Sequence, residues 1–292
     1  MDHVNFRVGV KVWSDDVEME MTLPAGPTRL ESLLPVFQRV ADGLVGLAVE
    51  RAGAEGRTVS CKKGCGACCR PIIPLSEAEA RRIGRLVEEL PEPRRTEVRA
   101  RFERARERLA EAGLLSKLEN PASFLESEID PFGLAYFHLG IPCPFLEEES
   151  CSIYADRPIV CREYLVTSPA ANCADPKPET IDKVELSARV WTALARAGST
   201  GPPKRFISWV PLVLAPGWAA AHPDASEPRP VEELLRSVFT ELAGAKGGPP
   251  PSPTGGRTNR LQLAGFRRLE RSGRVALGEP EVRKERATGS ET

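Results

Sequence analysis

The sequence is poor in histidine and in aromatic residues. Only three of its 292 residues are histidines, and aromatic residues make up only 6% of the chain. His3, His138 and His222 show no paired spacing suited to a metal ion, and no nucleophile–base pattern can be assembled. We expect His138, five positions before Cys143, to pack in the protein interior. A glycine-rich phosphate loop is also missing, so the sequence offers no conventional catalytic constellation.

The chain also has no marked excess of positive or negative charge and no long hydrophobic run. The formal net charge is −1, so no global field attracts nucleic acid or an anionic membrane. The stretch 206–221 is short and interrupted by Pro211 and Pro216, and it is not expected to cross a bilayer. The first residues lack the basic start and apolar run of a signal peptide. We therefore expect a cytoplasmic protein without a nucleic-acid or membrane partner.

Cysteine, by contrast, is well represented: the chain has eight cysteines, and they fall into two groups. The first group occupies nine residues, Cys-Lys-Lys-Gly-Cys-Gly-Ala-Cys-Cys, and the second is more widely spaced. In a reducing compartment, thiols crowded this closely usually bind a metal ion or an iron–sulfur cluster. The candidate ligands are Cys61, Cys65, Cys68 and Cys69 in the first group, and Cys143, Cys151, Cys161 and Cys173 in the second.

The residues between the first four cysteines suit a tightly wrapped loop. Gly64 and Gly66 free the backbone, so that amide N–H groups can point at sulfur. Nearby basic side chains would offset the charge of several thiolates: Lys62, Lys63 and Arg70. Adjacent side chains diverge, which makes Cys68 and Cys69 awkward as ligands of one tetrahedral ion. Either one of the two is a ligand, or both serve a multinuclear centre.

Several spaced motifs resemble a known family. They are Cys-Gly-Ala-Cys-Cys-Arg, Cys-Pro-Phe-Leu, Cys-Ser-Ile-Tyr, Arg-Pro and Cys-Arg-Glu-Tyr, in that order over roughly residues 58–175. Together they resemble the YkgJ-like cysteine-cluster family, whose signature is Cys-x-x-Cys-x-x-Cys-Cys and whose members are described as zinc- or iron-chelating. This chain has three residues, not two, between Cys61 and Cys65, which makes Cys61 the least secure ligand carried over.

The all-sulfur ligand set favours an iron–sulfur cluster, with [4Fe–4S] as the first expectation and zinc as the alternative. The function expected is redox or metal-dependent chemistry on an unidentified substrate; the alternative is a zinc-stabilised interaction or metal-handling module without catalysis. Whether the protein is an enzyme is left open. In the second group, Tyr154, Arg157, Arg162 and Tyr164 are expected to orient the cysteines, with anion binding as the alternative.

Other uses of the cysteines compete with a metal centre. Eight structural thiols scattered through a core, or disulfides in an exported protein, would explain the count but not the clustering. The spacing Cys61-x3-Cys65-x2-Cys68 is also that of radical S-adenosylmethionine enzymes. Those enzymes resemble βα barrels and usually carry an aromatic residue where Ala67 stands, whereas the surrounding segments predict helices.

Periodicity predicts a mainly α protein of the α+β type, a helical body with an N-terminal β-hairpin and cysteine-bearing loops around a metal centre. Alternating apolar residues on either side of Ser14-Asp15-Asp16 predict the hairpin, with Arg7 and Lys11 across from Glu18 and Glu20. The expected helices are 30–53, 76–90 with a Ser76–Glu79 capping box, 94–112, 180–197 and 231–243, and a strand-like segment spans 206–214.

The composition predicts one domain followed by a linker and tail. Residues 1–245 are predicted to form a single metal-binding domain with its cysteine-cluster core at 58–175. The run Gly-Gly-Pro-Pro-Pro-Ser-Pro-Thr-Gly-Gly then predicts a linker. Residues 246–292 are expected to form this linker and a disordered tail, with at most a transient helix near 261–269.

Overall fold

A computed structural model describes residues 3–62, 64–177, 179–198, 207–244, 266–268 and 282–286. Over these ranges the protein is mainly α-helical with small antiparallel strand pairs, as predicted. The helices are α1 Leu34–Ala54, α2 Glu77–Glu89, α3 Arg94–Glu111, α4 Leu115–Glu119, α5 Glu126–His138, α6 Ile159–Glu163, α7 Val190–Ala197, α8 Ala215–Ala221 and α9 Val231–Gly244. The strands are β1 His3–Val12, β2 Asp15–Pro24, β3 Pro27–Thr28, β4 Pro74–Leu75, β5 Leu146–Glu147, β6 Ser150–Cys151, β7 Val210–Pro211, β8 Arg229–Pro230, β9 Phe266–Arg268 and β10 Val282–Arg286.

The N-terminal hairpin is confirmed and lies at the centre of a four-stranded antiparallel sheet. The strand order is β10-β1-β2-β9, and Arg7 lies opposite Glu20, with a 2.9 Å ion pair between them. Lys11 faces Asp16 rather than Glu18. The strands β9 and β10 belong to the segment whose composition predicts a disordered tail; most of that segment lies outside the described residues.

One face of the hairpin packs on helices α1, α7 and α9. Every second side chain of β1 from Val4 to Val12 is buried, and Phe37 of α1 meets Phe239 of α9 with ring centroids 6.4 Å apart. The helix Leu30–Ala54 is long and apolar enough to span a membrane by length and composition, but so are many central core helices. Half of its most apolar window is buried in this core.

A second apolar core contacts part of the cysteine-bearing chain. It joins α2 and α3 through buried residues such as Ile83, Val87 and Phe102. Phe102 meets Phe145 edge to face at 5.5 Å, and Cys143 and Cys151 pack against the same cluster. Cys143 and Cys151 are therefore anchored on this core, which fixes their position relative to α2 and α3.

The predicted helices agree with the structure except at one place. The capping box is present, with Ser76 Oγ accepting from Glu79 N and the Glu79 carboxylate accepting from Ser76 N. The helix expected over 180–197 begins only at Val190. The helix prediction was wrong over residues 180–189, because the backbone there pairs with residues 165–167. Val184 N donates to Leu165 O, and Thr167 N donates to Asp182 O. The strand expected over 206–214 is reduced to β7, followed by a 3₁₀ turn at Leu212–Leu214.

Candidate metal centre

All eight cysteines line one cavity of about 140 Å³, although they come from segments more than a hundred positions apart. None of them forms a disulfide. Arg157, Tyr154 and Tyr164 share the wall, whereas none of the three histidines, each in the described part of the chain, lines it. The structure thus brings every sequence-predicted ligand together, including Cys61. The cysteines in the lining are Cys61, Cys65, Cys68, Cys69, Cys143, Cys151, Cys161 and Cys173.

The first cysteine segment is fastened by backbone hydrogen bonds to the segment that leads to Cys173. Ser60 N donates to Val166 O at 2.9 Å, and Val166 N donates to the Sγ of Cys61 at 3.4 Å. Gly64 follows with φ +88°, a left-handed conformation that favours glycine. The chain then turns through a 3₁₀ helix at Ala67–Cys69. Cys61 is therefore tied to the centre despite the extra residue before Cys65.

Gly66 is needed for space rather than for conformation. A Cβ atom at this position would lie 2.7 Å from Leu146 Cδ1 and 3.1 Å from Glu149 Cα, on the tip of the β5–β6 hairpin. Gly64 and Gly66 thus both let the loop wrap tightly, but for different reasons: Gly64 adopts a left-handed backbone conformation, and Gly66 leaves space for the hairpin. Arg70, expected to offset thiolate charge, interacts electrostatically with Cys69, and it also donates to Gly66 O at 2.9 Å and binds Glu149 at 2.6 Å. That ion pair fastens the loop to the hairpin.

The hairpin β5–β6 carries two further cysteines. Cys143 N donates to Cys69 O at 2.7 Å, which joins the two cysteine groups directly. Amide groups within the hairpin, those of Phe145 and Ile153, hydrogen-bond to the sulfurs of Cys143 and Cys151. Amides directed at sulfur stabilise thiolates and tune metal–sulfur centres.

Cys161 lies on the short helix α6, which three buried charged side chains hold in place. Glu79 of α2 accepts a hydrogen bond from Ile159 N at 2.8 Å, at the start of α6. Arg162 binds Asp42 of α1 at 2.7 Å and donates to the Arg157 carbonyl at 3.0 Å. Glu163 accepts from Val190 N at 2.5 Å, at the start of α7. The expected orienting role of Arg162 is thus matched by its contacts, whereas the roles of Glu79 and Glu163 are not visible in the sequence.

The thiols perturb one another strongly. A hydrogen bond with Cys69 lowers the pKa of Cys68 to about 7 and raises that of Cys69 far above its ordinary value. Burial raises the pKa of Cys143 to about 12 and that of Cys161 well above its usual range. Metal binding has to displace protons from these sulfurs, because the thiolate is the ligand.

Arg157 is the cation best placed to compensate thiolate charge. Burial raises the pKa of Cys61 and Cys151, and the Arg157 guanidinium opposes that rise in both thiols. The guanidinium lies 4.2 Å from the centroid of the half-exposed Tyr154 ring. Its Nε atom is buried and has no hydrogen-bond partner among the described residues. A buried N–H left unpaired beside eight thiols is a donor suited to an anionic group bound among them.

The donor chemistry fits a thiolate-bound metal. In their present rotamers, no three Cys, His, Asp or Glu side chains of the described ranges converge closely enough to hold an ion. The eight thiols nevertheless share one cavity wall, and rotation about χ1 redirects a cysteine sulfur without moving its backbone. A cavity lined by eight sulfurs and no imidazole suits a soft, sulfur-seeking metal or an iron–sulfur cluster. The unpaired Arg157 donor suits the negative charge of such a centre.

The radical-enzyme alternative fits less well. Every strand pair in the part of the chain that the structure describes is antiparallel, whereas a complete or partial βα barrel is built on parallel strands. Helix α3, rich in arginine and glutamate, pairs its arginines with glutamates of neighbouring elements, as in Arg101 with Glu147 of the β5–β6 hairpin at 2.7 Å. His222 stacks on Trp218 at 4.6 Å, away from the cysteines.

Part of the chain matches a known family model. Residues 60–181 match the model of the CxxCxxCC family, described as a "Putative zinc- or iron-chelating domain". No curated protein and no solved structure gives a significant match. The matched range contains all eight cysteines, the hairpin β5–β6 and helix α6.

Proposed function

We propose that this protein, whose residues 60–181 match the CxxCxxCC family model, holds an iron–sulfur centre in a reducing, cytoplasmic setting. The main observation that supports this proposal is that one cavity is lined by eight thiols and no histidine. A [4Fe–4S] cluster takes four cysteine thiolates, and such clusters supply one-electron transfer when bound. Zinc accepts the same donors, so metal identity is the point that an experiment has to decide.

The chain contributes positive charge and hydrogen-bond donors to such a centre. Amides of Val166, Phe145 and Ile153 point at sulfur, and Arg157 brings an unpaired buried N–H. Hydrogen bonds to sulfur and nearby cations shift the potential of an iron–sulfur cluster, so these groups suit redox or metal-dependent chemistry. The half-exposed Tyr154 at the cavity wall gives a substrate or redox partner access to the edge of the site.

Anaerobic purification followed by iron, zinc and acid-labile sulfide analysis tests the proposal. We expect iron and sulfide in similar amounts and a broad visible absorption that bleaches in air. Stoichiometric zinc in a colourless protein without sulfide would overturn the iron–sulfur assignment and leave a structural or metal-handling zinc module. Cys65→Ser and Cys161→Ser should each lose metal and melt at lower temperature, because metal-binding energy is folding energy in such sites. Ser150→Ala alters the same cavity wall without removing a thiol and is the matched control.

A further inference from the structure

A second and larger cavity lies outside the cysteine cavity, as an open groove of about 970 Å³ between helix α3 and the hairpin β5–β6. Cys143 and Ser150 line both spaces, so the groove and the proposed metal centre share a wall. The volume of the groove lies at the upper end of the range of about 300–1,000 Å³ that small-molecule sites occupy. A molecule bound in the groove would therefore lie beside a thiol of the centre.

Helix α3 lines the groove with arginines. Six residues of α3 belong to the lining, and four of them are arginines: Arg94, Arg101, Arg104 and Arg108. Successive arginines are seven, three and four positions apart, so they project from one face of the helix. Of the α3 residues in the lining, Glu97 alone is acidic. This face of α3 therefore carries a net positive charge.

Two of these arginines hold the stretch of chain that precedes the hairpin against α3. Arg101 donates to Pro144 O at 3.2 Å. Arg108, seven positions later, donates to Leu139 O. The stretch therefore runs along the second half of α3, and Arg104 lies between its two points of attachment. This stretch carries the cysteine that the groove shares with the metal centre, so Arg104 lies at the part of the groove that adjoins the centre.

Arg104 and Arg108 retain hydrogen-bond donors for a ligand. The other two arginines of the lining, Arg94 and Arg101, are both ion-paired with Glu147, at 3.2 and 2.7 Å. Arg104 has no hydrogen bond or ion pair to any residue in the described ranges, and Arg108 uses its guanidinium only on a main-chain carbonyl there. Both side chains are exposed and lie one helical turn apart, and each guanidinium has five N–H donors. Two such forks suit the oxygens of a phosphate or a carboxylate.

The acidic residues of the lining gather toward the other end of the groove. Glu97 precedes Arg104 by seven positions, which is about 10 Å along the helix axis. Glu147 and Glu148 belong to the tip of the hairpin, where two arginines already neutralise Glu147. The part of the groove beside Arg104 is bounded instead by the apolar residues 141–142. Positive charge and apolar surface thus meet at the end that adjoins the centre.

We propose that this groove binds a small organic anion as the substrate of the neighbouring centre. The phosphate or carboxylate group of this molecule is held by Arg104 and Arg108, and its apolar body lies against Ile141 and Pro142. The molecule then lies alongside Cys143, which is common to the groove and the centre. The substrate role rests on the proposed function, whereas binding of the anion does not require the metal.

Isothermal titration of the anaerobically purified full chain tests anion binding. Phenylphosphate and benzoate carry the two anionic groups, and benzyl alcohol is their uncharged counterpart. We expect at least one of the two anions to bind about tenfold or more tightly than the alcohol, because arginine supplies charge-assisted hydrogen bonds to it. The anion that binds more tightly identifies the group that the groove recognises. Equal binding of the three probes, or no binding of any, would overturn the proposal.

A pair of variants tests the position of the site. Arg104→Gln should weaken binding of phenylphosphate or benzoate, whichever binds more tightly, by about tenfold or more. Arg106→Gln is the matched control, because Arg106 lies on the same helix outside the lining and is ion-paired with Glu119. The control should bind the anion as the unmodified chain does, and metal content should be the same in all three proteins. Equal affinities in the two variants would contradict the site.

The visible absorption of the iron–sulfur or cobalt-substituted protein tests the link to the centre. We expect a saturating concentration of the anion to shift the metal–sulfur absorption, because Cys143 borders the bound molecule. An unchanged spectrum despite binding would overturn the substrate role. A protein that binds the anion at Arg104 but holds no metal would defeat the proposed function instead, so the two failures are distinguishable.

Discussion

The Glu79 carboxylate accepts a hydrogen bond from the Ile159 amide at 2.8 Å, across eighty positions of sequence. Its other oxygen accepts from both the amide and the hydroxyl of Ser76, at 3.0 and 2.8 Å. Glu79 is only 4% exposed, and burial raises its pKa above the ordinary range. One side chain thus caps α2 and fixes the first residue of the helix that carries Cys161.

Glu79→Gln should destabilise the protein and loosen Cys161. The amide keeps one acceptor oxygen but replaces the other with a donor, so a buried amide or hydroxyl loses its partner at a cost of about 1–3 kcal/mol. Urea unfolding of the metal-free protein measures the loss. Glu77→Gln is the control: it removes only the i,i+4 ion pair with Arg81 on the same helix and should change stability by less than about 0.5 kcal/mol. Equal losses in the two variants would contradict this role.

The connection between Glu79 and Ile159 shows what the sequence could predict and what it could not. The hairpin and the capping box depend on spacings of two and three residues, and both were predicted. The segment 180–189 was predicted as a helix because its apolar spacing is helical, but distant pairing with residues 165–167 prevailed. Local patterns carry no information about such pairings.

The candidate site also combines residues that the sequence predicted with residues that it did not. Clustering identified all eight cysteines, because free thiols crowd together only for a chemical reason. Glu79 lies among other charged residues and Glu163 directly follows Arg162, so charge pattern alone does not distinguish either one from a solvated carboxylate. Only the Ser76–Glu79 capping box gave a local signal, and it accounts for one of the two carboxylate oxygens of Glu79. The second oxygen accepts from Ile159 N at the start of α6, a contact between distant segments that the sequence does not reveal.

Arg157→Gln should weaken metal binding without unfolding the protein. The substitution removes a cation that opposes the burial-induced rise in the pKa of both Cys61 and Cys151, so their thiolates become harder to form. Loss of such an outer partner typically lowers metal affinity by about ten- to a hundredfold. Competition against a chelator of known affinity gives the number, and circular dichroism checks the fold.

Arg82→Gln is the matched control for Arg157. Arg82 is an arginine ion-paired with Glu89 and Asp156, and it does not line the cysteine cavity. Its loss should leave metal affinity unchanged. Arg157→Lys keeps the charge but not the planar fork, and an intermediate affinity is expected. If the two glutamine variants bound metal equally well, Arg157 would have no special role at the centre.

Glu147→Gln should loosen the hairpin that carries Cys143 and Cys151. Glu147 binds Arg94 at 3.2 Å and Arg101 at 2.7 Å, joining the hairpin to α3. Burial tends to raise the Glu147 pKa, but hydrogen bonds from these arginines outweigh it and the pKa is lowered. Because the carboxylate is partly exposed, the expected loss in unfolding free energy at neutral pH is about 0.5–1 kcal/mol.

The pH dependence of this loss has a defined sign. A carboxyl group with a lowered pKa in the folded state stabilises the fold above its unfolded value of 4.5, and that contribution disappears as the pH falls through the lowered pKa. The difference between Glu147→Gln and the unmodified chain should therefore shrink toward zero in acid. Glu148→Gln, next to it and without an ion pair among the described residues, should show no such difference at any pH. A constant difference from neutral to acid pH would exclude the ion pairs as its cause.

Gly66→Ala should separate the first cysteine segment from the hairpin. The added methyl would lie 2.7 Å from Leu146 Cδ1 and 3.1 Å from the Glu149 backbone, so the loop or the hairpin has to move. Overpacking of this kind costs about 1–3 kcal/mol, and the shift displaces Cys65 and Cys68 relative to Cys143. Gly133→Ala, within α5 and with no atom inside 4 Å of the new methyl, should instead stabilise by up to about 1 kcal/mol through helix propensity. Thermal unfolding of the two variants, measured side by side, should show a lower melting temperature for Gly66→Ala and a higher one for Gly133→Ala. Metal analysis should show a loss of metal only from Gly66→Ala.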